Sequence, residues 1–347
     1  MRDLTVRIGR KPMKTRGLVA AVLVSLMALA EVETASAQVK WKAVATSRPL
    51  PHFALWTWYA EELDKRTNGQ IKMEVVSLPE LGLTGFELVR VTRAGLVDVA
   101  DVILAYVAGE VPAVEAVDLP GLYADFEASA RAHAAFLTAV KKNEEKLGGV
   151  VLGGYLWPNQ YIISRKPIRS PSDFKGLKIR VYGAADTEFV RAFGMEPVAI
   201  TFAEVYPALE RGTVDAAMTG SYPAFAIKLY EVAKYMVDVN HGPNSGVLVV
   251  SKRTWDRLSP EVRATMTKLG EEFSQRGWDM GRRTTQEGID RNKEKGMEFI
   301  PVTPAMAAMT RDILTRVVLP GWMKRTGPDA KAFFNQYLAP HAGFTLP

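Results

Sequence analysis

Between Val39 and Tyr106 the chain alternates strand and helix periodicity, and this constrains its fold more than any other feature. Val39–Thr46 reads as a strand. A helix follows from about Phe53, with Leu55, Trp58, Tyr59 and Leu63 at helical spacing and Glu61, Glu62, Asp64 and Lys65 on the opposite side. Asn68-Gly69 closes it, because glycine tolerates the left-handed conformation that ends a helix. Ile71–Ser77 is the next strand, Phe86–Ala94 a short helix closed by Gly95, and Val97–Leu104 a buried strand. Strands separated by helices predict parallel β-α-β units, and therefore an α/β fold with a doubly wound sheet.

The same grammar restarts further on. Gly149–Leu156, Tyr161–Ser164 and Leu177–Tyr182 read as strands, and Asp186–Phe193 as a helix closed by Gly194. Thr201-Phe202-Ala203-Glu204 has the form of a capping box that starts a helix ended by Gly212, and Val214–Met218 returns to the sheet. The restart predicts two α/β domains of similar build. Ser259-Pro260-Glu261 places a capping serine, a proline and an acid at the start of a helix that can run to about Lys295. At ~1.5 Å per residue its length is roughly 50 Å, enough to bridge both domains. Gly270, Gly277 and Gly281 are its weak points, and two helices broken near Gly277–Gly281 are the alternative.

The N-terminal stretch reads as an export signal. Arg2, Arg7, Arg10, Lys11, Lys14 and Arg16 precede an apolar run from Leu18 to Ala30, and Ala35-Ser36-Ala37 has the small-x-small form that signal peptidase cuts. Residues 1–37 are expected to be removed after Ala37, giving a periplasmic protein; an uncleaved anchor is the alternative. The formal net charge of +6 falls to +3 without the leader, and the remaining basic residues are scattered, which disfavours nucleic-acid binding. The chain has no cysteine, which excludes disulfides, thiolate chemistry and a cysteine-containing zinc site.

The signatures of phosphate loops, dinucleotide turns, nucleophile elbows and His-Glu-x-x-His metal sites are absent. The four histidines, His52, His133, His241 and His341, form no local metal motif. Arg180 stands out. In the strand Leu177–Tyr182, Leu177, Ile179 and Val181 share one face and Lys178, Arg180 and Tyr182 the other. Arg180 is either a charge on a solvated face or the partner of a carboxylate in a closed cleft, where its planar fork makes strong bidentate bonds.

The order and spacing of several short segments carry a resemblance. In the first half these are Glu61-Glu62-Leu63, Thr67-Asn68-Gly69, Leu81-Gly82, Val97-Asp98-Val99-Ala100 and Leu119-Pro120-Gly121. In the second they are Lys166-Pro167-Ile168, Asp173 to Arg180, Glu204-Val205-Tyr206, Val214-Asp215-Ala216 and Tyr230 to Tyr235, with Trp255-Asp256-Arg257-Leu258 before the long helix. Together they resemble the solute-binding proteins of tripartite ATP-independent periplasmic (TRAP) transporters, of the C4-dicarboxylate-binding (DctP) type.

The resemblance implies a two-domain periplasmic binding protein fold with a long helix spanning both domains and a ligand cleft between them. The corresponding division is 38–158 with about 247–285, and 159–246 with about 286–347. It implies a non-enzymatic receptor that closes over an organic acid, holds its carboxylate with Arg180, needs no cofactor, and delivers it to the large and small membrane subunits. Where some members carry a second arginine this chain has Gln160, and where many carry asparagine it has Thr219. Those departures point to a monocarboxylate with an apolar or aromatic body. Strand ends and the loops after them add His52, Phe86, Tyr106, Trp157 and Tyr222 as pocket candidates; Tyr206 and Trp255 are expected in core or hinge packing. A receptor for an ATP-driven importer or sensor, a periplasmic enzyme with a dispersed site, and a scaffold protein are the competing readings.

Overall fold

The strand–helix alternation builds one continuous sheet whose two ends are parallel and whose middle is antiparallel. The computed structural model describes residues 38–347, so the leader and its cleavage site lie outside the described residues. The strands are β1 (Val39–Ala45), β2 (Ile71–Ser77), β3 (Val99–Ile103), β4 (Gly149–Ser164), β5 (Lys178–Val181), β6 (Glu196–Ala199), β7 (Ala216–Gly220), β8 (Tyr235–Val237), β9 (Pro243–Ser251) and β10 (Glu298–Ile300). The helices that matter here are α1 (Pro51–Arg66), α2 (Leu88–Arg93), α3 (Phe126–Lys141), α4 (Ala184–Ala192), α5 (Val205–Glu210), α6 (Ser221–Ala226), α7 (Lys252–Trp255) and α8 (Pro260–Glu294).

The sheet order is β2-β1-β3-β9-β4-β7-β5-β6, with β8 on β4 and β10 on β8. β1 pairs in parallel with β2 and β3, and β5 with β6 and β7, as β-α-β units require. The centre differs from a doubly wound sheet: β9 runs antiparallel to β3 and β4, and β4 antiparallel to β7. Two parallel halves are thus joined by the long strands β4 and β9. One apolar cluster fills the first half around Trp56, Tyr59 and Phe273, another the second around Ile163, Leu209 and Met236, and a third runs through both.

Two local expectations are corrected. Gly149–Leu156 and Tyr161–Ser164 are one strand of 16 residues. Trp157-Pro158 looks like a break because proline cannot donate to a ladder, but Pro158 falls at an irregularity between Leu156 and Asn159 where the register shifts. Thr201 does not cap a helix with its side chain; a 3-10 turn, Phe202–Glu204, leads into α5 instead.

α8 is unbroken over 35 residues, which removes the two-helix alternative. Ser259 caps it by accepting a hydrogen bond from Val262 N. Its glycines are not breaks but points of contact: a Cβ on Gly270 would lie 2.6 Å from Leu152 O, and one on Gly281 2.7 Å from Leu156 O. Lying this close, α8 hydrogen-bonds the bulged strand. Ser274 Oγ accepts from Gly154 N and Thr285 Oγ1 from Asn159 N. Further along, Asn292 Nδ2 donates to Ser221 O of α6. Among the described residues no helix is long and apolar enough to cross a membrane.

Candidate functional site

The C-terminal ends of the strands from both halves converge on one cavity of about 230 Å³. The end of β3 brings Ile103, and the segments after β1, β2 and β3 bring Thr46, Leu50, Leu78 and Tyr106. The second half supplies Arg180 and Tyr182 at the end of β5, Phe202 after β6 and Thr219 in β7, while the crossing strands add Trp157, Gln160 and Asn244. This is where open α/β sheets place ligands, because diverging strand ends leave a crevice.

Arg180 is only 1% exposed, so the solvated-face reading fails. β5 lies between β6 and β7, and the guanidinium uses both neighbours: Nε donates to Ile200 O at 2.9 Å and Nη1 to Met218 O at 2.8 Å. The Tyr182 ring lies 4.5 Å from Cζ, adding a cation–π contact. Nη2 is buried without a partner. No carboxylate of the described residues pairs with Arg180, and no acidic side chain lines the cavity. Burying a cation without a counter-charge is costly. The geometry therefore holds a fixed fork one acceptor short.

The phenol of Tyr182 is neutral. Burial pushes its pKa well above the ordinary value of 10, and Asp186 adds to this while Arg180 opposes it. Gln160 and Asn244 are its hydrogen-bond neighbours. Among the described residues no group of three or more His, Cys, Asp or Glu is placed to hold a metal ion.

Five of the eight pocket candidates line the cavity: Arg180, Gln160, Thr219, Trp157 and Tyr106. Three do not. His52 lies behind the wall, stacked 3.8 Å from Trp157, and Phe86 lies behind Tyr106, ring on ring at 4.8 Å. Tyr222 turns away and packs on Phe225, its amide seated where a Cβ on Gly288 of α8 would be. Tyr206 packs against the core as expected and also reaches the cavity wall, and Trp255 packs with Arg263 as expected of core. Tyr182 and Asn244 were not singled out; only the alternation that puts Tyr182 on the Arg180 face points to either.

His52 supports the wall as a neutral ring. Its Nε2 lies 2.9 Å from Leu156 O, a carbonyl that only accepts, and Nδ1 is buried without a partner. Burial lowers its pKa to about 4, with the bond to Leu156 opposing. A folded pKa below the ordinary 6.5 means that neutral His52 stabilises the fold above pH 6.5 and that this is lost as pH falls towards 4. Asp101, pushed up to about 7 by burial against the hydrogen bond from Tyr155, acts in the opposite direction over the same range. We therefore expect His52→Gln to lose about 2 kcal/mol less than the parent between pH 7 and pH 5. Denaturant unfolding of both proteins at each pH measures it, and equal losses would refute the neutral buried ring.

Comparison with known proteins places the fold. Residues 43–321 match the model of the bacterial extracellular solute-binding proteins, family 7 (DctP). The chain belongs to this family. Its relatives include the 2,3-diketo-L-gulonate-binding periplasmic protein YiaO of Escherichia coli, 27% identical over 89% of this chain and 97% of the relative. The C4-dicarboxylate-binding periplasmic protein DctP of Rhodobacter capsulatus is 27% identical over 75% of this chain and 79% of the relative. Among solved structures, DctP7 of Bordetella pertussis, an extracytoplasmic solute receptor binding pyroglutamic acid, superposes with a TM-score of 0.82 at 25% identity, over 86% of this chain and 99% of that one. The TRAP resemblance and the two-domain binding-protein fold are thus both shown, and DctP proteins are receptors for solutes outside the cytoplasm.

Proposed function

We propose that this protein captures an organic monocarboxylate in the periplasm and delivers it to the membrane subunits of a TRAP transporter. One observation carries the reading: Arg180 is a buried, pre-oriented cation with an unpartnered Nη2, in a cavity that contains no carboxylate to neutralise it. It is also the only Lys, Arg or His in the lining, which supports one carboxylate rather than two. Leu50, Leu78, Ile103 and Phe202 suit an apolar or aromatic body. The two domains, 38–158 with about 247–285 and 159–246 with about 286–347, close over the acid, and exclusion of water strengthens its attraction to Arg180. Closure follows because the acid binds the closed form better than the open one.

The test is a thermal-shift screen of residues 38–347, first unfolded and refolded to strip carried-over ligand, against mono- and dicarboxylic acids. A ligand at 100 times its dissociation constant adds about 2.7 kcal/mol of stability. Shifts with monocarboxylates alone support the reading; shifts with dicarboxylates alone, or with no acid, overturn it. The leader is expected to be removed after Ala37, so N-terminal sequencing of the exported protein should begin at Gln38. An N-terminus retaining the apolar run would make the protein membrane-anchored.

A further inference from the structure

Gln160 of β4, Tyr182 after β5 and Asn244 of β9 share hydrogen bonds on the cavity wall whose protons can be counted. One terminal atom of Gln160 lies 2.8 Å from Pro158 O. A carbonyl oxygen only accepts, so that atom is the amide nitrogen, and Oε1 faces Tyr182 Oη at 2.7 Å. Tyr182 is neutral and has one proton, which it gives to Gln160. The near terminal atom of Asn244 lies 3.2 Å from the same Oη. An oxygen there would meet a lone pair. The carboxamide turned over about its last bond fills the same volume and puts Nδ2 there instead, donating to the phenol. The other terminal atom of Asn244, which is then Oδ1, has no protein partner, and Asn244 is a buried residue whose open side is the cavity.

We infer that Asn244 presents an unpartnered carboxamide oxygen to the cavity, and that the receptor selects carboxylic acids that also carry an N–H or O–H donor. The inference rests on the carboxylate reading of Arg180. The same phenol that orients Asn244 lies under the guanidinium, its ring centroid 4.5 Å from Arg180 Cζ. Cation and acceptor therefore stand side by side on one wall, within reach of one small molecule in a cavity of this size. Thr219 does not discriminate, because its hydroxyl can donate or accept. Asn244 discriminates because Tyr182 and Gln160 hold it in one orientation. Lactam acids and hydroxy acids satisfy it. Lactones, ethers and plain aromatic acids leave a buried acceptor facing nothing or facing another acceptor, and sites built to bond a ligand proton reject analogues that lack it.

Calorimetric titration with matched pairs tests this. One pair is pyroglutamic acid and 5-oxotetrahydrofuran-2-carboxylic acid, identical in shape except that ring oxygen replaces N–H. Further pairs are 2-hydroxy acids with lactate-, phenyllactate- and mandelate-type bodies and their methyl ethers. The expected result is that the tightest-binding acid loses roughly 10- to 100-fold in affinity when its donor is replaced. Asn244→Leu should bring the two members of that pair to similar affinity while both still depend on Arg180. Tyr182→Phe, which frees Asn244 to turn over, should shrink the preference without deleting the carboxamide. Equal affinity within pairs for the unmodified protein, or a preference that survives Asn244→Leu, would overturn the role of Asn244 and leave the carboxylate reading standing. Failure of every acid to bind would overturn the carboxylate reading itself, and this inference with it.

Discussion

Arg180→Met should lower affinity for the carboxylate by roughly 10²- to 10³-fold, and change the stability of the unliganded protein far less. The two effects separate because the cation is buried before any ligand arrives. Without ligand, Arg180 spends its donors on Ile200 O and Met218 O and leaves Nη2 unpartnered. Replacing it removes an uncompensated buried charge, which is favourable, and strips two carbonyls of a donor, which costs about as much. Methionine fills much of the same volume with a flexible chain. With ligand, the same substitution leaves a buried carboxylate without its partner, and breaking a buried pair from one side typically costs 3–5 kcal/mol. Arg180→Lys should recover little, since an ammonium cannot reach both carbonyls and still present a planar pair of donors. Titration calorimetry with the best acid, beside thermal melts of the unliganded variants, reads both quantities. An Arg180→Met protein that binds within tenfold of the parent would remove Arg180 as the anchor.

Much of this architecture was legible because its signals are local. Ile71–Ser77 is a strand over the residues that alternation assigns, and α8 starts at the Ser259-Pro260 cap and ends one residue before the expected Lys295. Arg180 was legible through the resemblance: alternation alone puts it on one face with Lys178 and Tyr182 and leaves a solvated charge as the other reading. What was hidden depends on residues distant in the chain. The continuity of β4 past Pro158 needs Thr285, 126 residues from Asn159, to take up the amide that the irregularity frees. The antiparallel centre is a matter of strand direction, which periodicity does not carry. His52 and Phe86 belong to the right region but stand behind Trp157 and Tyr106, because a pattern assigns a residue to a helix start without saying which ring reaches the cavity first. Asn244 acquires its role only from Tyr182, 62 residues away, and Tyr182 only from Gln160, 22 residues away.

Gly277→Ala should destabilise the protein by at least about 2 kcal/mol, although alanine is the better helix former. Two effects compete. In a solvent-facing helix the substitution would gain about 1 kcal/mol of propensity. Here the new Cβ would stand 2.3 Å from Tyr155 Cβ and 3.0 Å from Tyr155 Cα. Those atoms cannot rotate aside, because one is the backbone of β4 and the other is fixed to it. Nor can Tyr155 readily move: its hydroxyl donates to buried Asp101, and its ring occupies the space where a Cβ on Gly246 would be. Either α8 or β4 must shift, and overpacking of this kind costs 1–3 kcal/mol or more. Gly288→Ala should behave the same way at the other end, with its Cβ 2.2 Å from Tyr222 N. Arg283→Ala, on the exposed side of α8, should stay within about 0.5 kcal/mol of the parent. Denaturant midpoints for the three variants decide which effect wins. A stabilised Gly277→Ala protein would mean that α8 does not rest on β4, and that the glycines which make this long helix look breakable are not what lets it dock.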